Sequence, residues 1–180
     1  VAGAGDVDGD GYADVIVGAP FFNPNQTSNA GAAYIYAGSA SGLVADNPTA
    51  LVGTQVSALF GYSVAGAGDI NGDGYADILV GAQGYDSCQV EEGAAFLYLG
   101  GPGPFTTMYA QRLKMDQADA SFGESVSGAG DVDGDGVDDI IIGAPYYDAG
   151  QADEGAAFVY HGSDRIFVGD FQHPFVDPCP

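Results

Sequence analysis

The nine residues Asp6-Val7-Asp8-Gly9-Asp10-Gly11-Tyr12-Ala13-Asp14 recur as Asp69-Ile70-Asn71-Gly72-Asp73-Gly74-Tyr75-Ala76-Asp77 and as Asp131-Val132-Asp133-Gly134-Asp135-Gly136-Val137-Asp138-Asp139, at offsets of 63 and 62 residues. A second block follows each of them. Gly31-Ala32-Ala33-Tyr34-Ile35-Tyr36 returns as Gly93-Ala94-Ala95-Phe96-Leu97-Tyr98 and Gly155-Ala156-Ala157-Phe158-Val159-Tyr160, 62 residues later each time. Two blocks that hold one period define a structural unit, and a repeat of this length decides the architecture before any single residue is read.

Within each unit the apolar stretches are short, β-branched or aromatic, and bounded by Gly, Pro or Asp, which predicts strands. The runs Val15-Ile16-Val17, Ile78-Leu79-Val80 and Ile140-Ile141-Ile142 do not alternate with polar residues, so these strands are expected to be covered on both faces. Segments before the acidic cluster, after it and at Gly-Ala-Ala, with a less regular stretch at 49–58 and 106–115, give about four strands per unit. No amphipathic helix emerges. The expected fold is all-β, an array of β-propeller-type four-stranded blades in which each blade is buried by its neighbours.

The chain is read as one domain, 1–180, with repeats at about 1–59, 60–121 and 122–163 and a tail or final strand at 164–180. Propellers typically close with about 4 to 8 blades. Three units therefore imply a segment of a longer protein, a ring completed by further copies, or an open capped array. Val1 to Gly5 matches Val64 to Gly68, which places the start inside a first strand and favours the segment.

The acidic loops carry the chemistry. Oxygen donors at positions 1, 3 and 5, a Gly at 6 and an acid at 9 can curl around one cation, and carboxylates this close repel one another without it. The side-chain ligands are expected to be Asp6, Asp8, Asp10 and Asp14; Asp69, Asn71, Asp73 and Asp77; and Asp131, Asp133, Asp135 and Asp139. Position 7 offers a backbone carbonyl from Tyr12, Tyr75 and Val137. An all-oxygen shell without His or Cys suits Ca²⁺ better than Mg²⁺ or zinc. About three Ca²⁺ are expected. The EF-hand also starts this way but needs a Glu at position 12, where Val17, Val80 and Ile142 stand. The plain alternative is a solvated Asp-Gly turn; three copies that keep the acid at position 9 argue for the ion.

Composition bounds the partners. Lys+Arg 3 against Asp+Glu 25 gives a formal charge of -22, which excludes the phosphate backbone of nucleic acid and disfavours anionic membranes. Three Ca²⁺ would change this only to -22 + 6 = -16. No run reaches the roughly 18 apolar residues of a membrane-spanning helix, so no membrane insertion is expected. No secretion leader is readable at the start. Cys88 and Cys179 are a disulfide or two unrelated thiols; a disulfide would pin the tail to the second unit. His161 and His173 are the two histidines, and Gly61-Tyr62-Ser63-Val64-Ala65 lacks the last Gly of a nucleophile elbow, so the chain is not expected to be an enzyme. His161, at the place of Ala37 and Leu99, is expected to be a packed or rim residue. Asn25-Gln26-Thr27 is a glycosylation sequon in a surface loop.

Phe60-Gly61 and Phe122-Gly123, followed by the acidic loop and then by Gly18-Ala19-Pro20 or Gly143-Ala144-Pro145, resemble the FG-GAP repeats of the integrin α-subunit propeller and its bacterial relatives. The first unit lacks its FG, the second has Gln83 for Pro, and three units stand where the family has seven. The resemblance implies structural calcium in the hairpin between strands 1 and 2 and an extracellular or cell-surface module for adhesion or ligand binding. Its ligand would be protein or carbohydrate. A non-catalytic scaffold of a larger secreted enzyme and a self-assembling homo-oligomeric surface protein are the alternatives. The 2–3 loops, Phe21 to Ala30, Tyr85 to Glu92 and Tyr146 to Glu154, should lie opposite the calcium loops. Their Phe21, Phe22, Tyr85, Asp86, Tyr146, Tyr147 and Asp148 are recognition candidates, with packing between blades as the commoner fate of such aromatics.

Overall fold

The computed structural model describes residues 1–162. Blade one comprises β1 (Ala2–Gly5), β2 (Asp14–Ala19), β3 (Ala32–Tyr36) and β4 (Thr49–Val52). Blade two comprises β5 (Val64–Gly68), β6 (Asp77–Ala82), β7 (Ala94–Tyr98) and β8 (Gln111–Lys114). Blade three has β9 (Ser125–Gly130), β10 (Asp139–Ala144) and β11 (Ala156–Tyr160) among the described residues. Each is an antiparallel meander in chain order. A single 3₁₀ turn, Pro24–Gln26, interrupts the first 2–3 loop. The less regular fourth strands form at the expected places, and the expected tail at 164–180 lies outside the described residues.

The first strands β1, β5 and β9 pack side by side. Their Ala-Gly-Ala-Gly sequences permit it. A Cβ on Gly66 would come within 2.8 Å of the Gly3 carbonyl oxygen, and one on Gly128 within 2.9 Å of that of Gly66. Two apolar layers then separate the three blades. Ile16, Ile35, Leu51, Phe60, Ile78, Val80 and Phe96 fill the first, and Leu79, Leu97, Leu113, Phe122, Ile140 and Ile142 the second.

Two-sided burial is a property of the central blade. All six residues of β6 are buried, with Ile78 and Val80 in one layer and Leu79 in the other. In β2 and β10, by contrast, Val15, Val17 and Ile141 are only half-buried, because among the described residues one neighbouring blade packs against each of these strands instead of two. The expectation of full coverage for all three runs is corrected accordingly.

The FG and GAP elements meet across each blade boundary. Phe60 N–H donates to the Ala30 carbonyl and Phe122 N–H to that of Glu92, which seats the ring against the preceding blade. Gly61 and Gly123 N–H donate to Gly81 and Gly143 within their own blades. The GAP glycine of one blade lies under the FG carbonyl of the next. A Cβ on Gly18 would be 2.0 Å from the Gly61 carbonyl oxygen, and one on Gly81 equally close to that of Gly123. Blade one needs no FG for this layer, since an FG stitches backward to a preceding blade. Among the described residues Gly143 faces no following FG, and a Cβ there meets first the Ser125 hydroxyl at 2.3 Å.

These contacts rank two substitutions. Gly81→Ala is expected to cost at least about 2 kcal/mol, within the range for overpacking, because backbone has to move. Gly143→Ala should cost less, because a Ser rotamer can yield. Urea unfolding of both variants checks this, and equal midpoints would refute the assigned role of the Gly81 contact.

Candidate metal centre

Each acidic loop joins the first strand of a blade to the second. In the first loop Asp6 Oδ1 accepts from Gly9 and Asp10 N–H at 2.8 and 3.1 Å, and its Oδ2 from Gly11 N–H at 2.9 Å. Asp8 Oδ1 accepts from Asp10 N–H and Asp10 Oδ1 from Tyr12 N–H. The third loop repeats this with Asp131, Asp133 and Asp135. The second repeats most of it with Asp69, Asn71 and Asp73. Both glycines of every loop take positive φ, 71° to 96°, a region open to Gly at little cost. Alternating Asp and Gly is therefore what lets the chain coil around its own carboxylates.

The result is convergence. Carboxylate oxygens of Asp6, Asp8 and Asp10 lie within 4.8 Å of one another, as do those of Asp131, Asp133 and Asp135. The donor set is oxygen and mostly anionic, which fits a hard divalent cation. In the second loop Asn71 contributes an amide, and its Nδ2 donates to Asp73 Oδ2 at 2.9 Å, occupying an acceptor that a cation would need. Tyr12, Tyr75 and Val137 stand at the seventh loop position in each case, with their N–H groups bonded to the acid two residues back.

The ninth-position acids do more than the spacing implied. Asp14, Asp77 and Asp139 are buried, and each accepts two backbone N–H bonds. One comes from the second loop residue: Val7, Ile70 or Val132. The other comes from Gly38, Gly100 or Gly162, just beyond the third strand, at 2.7 to 2.8 Å. The acid thus clasps the acidic loop to the far end of the hairpin. Those three glycines recur every 62 residues. That spacing was the available signal for the clasp.

The electrostatics differ between copies. Burial, opposed by the Gly100 and Ile70 N–H groups and reinforced by Asp73 and Asp69, pushes Asp77 up to about 7. Asp139 goes the other way. Burial acts to raise it, but the Val132 and Gly162 N–H bonds and the imidazole of His161 outweigh burial and hold the carboxyl below its ordinary value. Asp8 is raised by burial, with Asp10, Asp14 and Asp6 adding to the effect against one N–H bond.

Neighbouring loops are joined to one another. Ala76 N–H donates to the Asp6 carbonyl, Asp138 N–H to that of Asp69, and Asp69 N–H to the Asp138 carboxylate at 2.9 Å. These bonds link the acidic loops across both blade boundaries.

His161 was expected as a packed or rim residue rather than a catalytic one. It is a rim residue, 53 % exposed, but its Nδ1 reaches the third loop, 3.3 Å from Asp133 Oδ2 and 3.4 Å from Asp139 Oδ1. The statement that no histidine accompanies these acids is thus corrected for the third copy. His173 lies outside the described residues. Cys88 is disulfide-bonded, and Cys179, which the sequence offered either as a disulfide partner or as an unrelated thiol, also lies outside them.

At the other end of the strands, the 2–3 loops lie opposite the acidic loops as expected. Phe22, Tyr85 and Tyr147 pack edge-on against the third-strand aromatics Tyr34, Phe96 and Phe158. The preceding position stays open, with Phe21 68 % and Tyr146 51 % exposed. Asp86 and Asp148 shape their own loops and exchange backbone bonds with Gln55 and Gln117 of the preceding blade. Asn25 of the sequon is exposed.

By charge and by the Asn71 to Asp73 bond, the second loop is expected to bind calcium most weakly of the three. Asn71→Asp should tighten the weakest phase of a calcium titration. A titration in which Asp73→Ala removes the tightest phase instead would overturn the ranking.

The FG-GAP repeat profile matches residues 1–36, 60–98 and 122–160, the first three strands of each blade. Integrin alpha-7 of Rattus norvegicus is 38 % identical over 168 residues, covering 91 % of this chain and 14 % of the relative. Integrin alpha-4 of Xenopus laevis is 34 % identical over 145 residues, 78 % of this chain and 14 % of the relative. Integrin alpha-8 of Mus musculus is 35 % identical over 152 residues, 77 % and 14 % respectively. The chain thus spans about one seventh of the length of these relatives.

Proposed function

This chain belongs to the FG-GAP repeat family, and we propose that it is a calcium-stabilised, extracellular or cell-surface module for adhesion or ligand binding, without catalytic activity of its own. The observation that supports the calcium assignment is the convergence of three carboxylates in the first and third loops around coiled Asp-Gly backbone, with the second loop sharing most of the same backbone hydrogen bonds. Asp6, Asp8, Asp10 and Asp14 would hold the first ion with the Tyr12 carbonyl. Asp69, Asn71, Asp73 and Asp77 would hold the second with Tyr75, and Asp131, Asp133, Asp135 and Asp139 the third with Val137. Bound calcium supplies the positive charge that these carboxylates lack. The residues do the rest: the ninth acid ties each loop to its hairpin, and the Asp6 to Ala76 and Asp69 to Asp138 bonds tie loop to loop. The expected product is a stiff array that presents its other end, with Phe21 and Tyr146, to a protein or carbohydrate partner.

Calorimetric titration of the chelator-stripped chain tests this, with about three Ca²⁺ bound per chain as the expected result. No calcium heat, or equal preference for Mg²⁺, would reject it. The outer faces of blades one and three, with half-buried Val15, Val17 and Ile141 and Val159 46 % exposed, also favour association with further blades, from copies of this chain or from a longer protein. Light scattering in millimolar calcium distinguishes these, since a discrete dimer supports completion by copies and a monomer rejects it.

A further inference from the structure

We propose that the cavity at the outer rim between blades one and two is a site for a small quaternary ammonium cation of the choline class. Its volume is about 480 Å³, within the roughly 300 to 1,000 Å³ of small-ligand sites. Val52 to Gln55 of blade one form one side, and Phe60, Tyr85, Phe96, Tyr98 and Tyr109 of blade two form the other. Neither Phe21 nor Tyr146 lines it, so the site is separate from the end proposed to meet a protein or carbohydrate partner. The rings meet at 64° to 84° with centroids 5.2 to 6.5 Å apart. Their faces therefore point in several directions and make the walls of a cage, whereas a sugar ring stacks on a flat platform. An aromatic face is electrostatically negative and attracts a cation. Arg112 shows this within the chain: its Cζ stands 5.4 Å from the Tyr85 ring centroid, and its Nη1 donates to the Tyr85 hydroxyl at 2.9 Å.

Charge and hydrogen bonding narrow the class. Arg112 lies outside the lining, no Lys, Arg or His contributes to it, and the chain carries a formal charge of -22, so a cation is the complementary occupant. No carboxylate lines the cavity either. Its side-chain amide, Gln55, is already engaged, with Oε1 accepting from Asp86 N–H and Nε2 donating to the Asp86 carbonyl. A primary ammonium brings three N–H donors that need acceptors. A trimethylammonium group brings none and presents methyl groups to the rings. Asp86 is itself exposed beside Gln55, which disfavours a ligand with its own anionic group, such as a betaine or a lipid phosphocholine head. Phe60, Phe96 and Tyr98 are buried and form a fixed floor, while Tyr109 and Met108, 48 % and 79 % exposed, stand at the open mouth.

The full chain in millimolar calcium is titrated with choline and, separately, with dimethylbutanol, the neutral isostere in which carbon replaces the nitrogen. Glycine betaine and phosphatidylcholine vesicles are the further probes. Binding is followed through the NMR signals of the tyrosine rings. The expected result is one saturable choline site, at least about 10-fold tighter than for the isostere, the scale of a desolvated cation–π contact. Tyr109→Leu keeps an apolar side chain at a half-exposed position and removes the ring, so it should weaken choline by a similar factor and leave the isostere unchanged, while Tyr109→Phe should retain binding. Equal affinity for choline and its isostere would reduce the site to an apolar pocket and overturn the proposal. Tighter binding of betaine or vesicles, or no saturable choline binding, would overturn it too. The comparison of choline with its isostere needs no variant, so it decides even if Tyr109→Leu does not fold. Calcium is present throughout, and melting with chelator reads that assignment separately.

Discussion

In excess EGTA the melting temperature is expected to fall by on the order of 20 °C relative to millimolar calcium. An ion present at about 100 times its dissociation constant stabilises the folded state by about 2.7 kcal/mol per site, roughly 8 kcal/mol for three sites. A chain of this size shifts by roughly 2 to 4 °C per kcal/mol. The physical source is local. Without the ion, Asp6, Asp8 and Asp10 face one another within 4.8 Å, as do Asp131, Asp133 and Asp135, in a chain that already carries a formal charge of -22. The loops are also bonded across blade boundaries, so losing their order loosens the array and not only the hairpin tip. Thermal melts followed by circular dichroism, with and without chelator, give the answer, and coincident melts would remove structural calcium from the account.

The second large effect is expected from Phe122→Ala, at about 3 to 5 kcal/mol. Phe122 is fully buried between blades two and three, among Leu79, Leu97, Leu113, Ile140 and Ile142, with Phe158 and Tyr160 ring centroids 5.9 and 6.4 Å away. Its backbone is also anchored to the Glu92 carbonyl and bridges Gly93, so the surrounding chain cannot collapse easily into the space left behind. Phe60→Ala should behave alike, since Phe60 fills the preceding layer against Phe96 and Tyr98. Phe21→Ala, at an open loop position, is expected to stay within about 0.5 kcal/mol of wild type. Urea denaturation of the three variants decides it. A Phe122→Ala midpoint indistinguishable from that of Phe21→Ala would show that the blades are not held together through this ring.

The same residues show how far the sequence could be read. The 62-residue period, the blade as its unit and the acidic loops were all legible, since each depends on local pattern: β-branched runs make strands, and Asp-Gly alternation makes coiled loops. The clasp from Asp14 to Gly38 was legible in principle, because Gly38, Gly100 and Gly162 keep the period, but a glycine does not announce which acceptor its N–H will meet. The different fates of Phe21 and Phe22 were not legible at all. Adjacent aromatics in a loop have the same local chemistry, and only the position of Tyr34 on the neighbouring strand gives Phe22 an edge-on ring contact, leaving it 44 % exposed against 68 % for Phe21.

What the sequence determined by itself, then, was everything set by neighbours along the chain: strand, turn, repeat and the oxygen donors of each loop. Tertiary structure alone decided what depends on neighbours in space. It made Ile78 to Val80 a two-sided core and left Val15, Val17 and Ile141 half-covered, although the three runs read alike. It also brought His161 to the third loop across 22 residues of chain from Asp139. The physical reason is that burial and coordination are properties of the space between strands, and that space exists only after the blades have stacked.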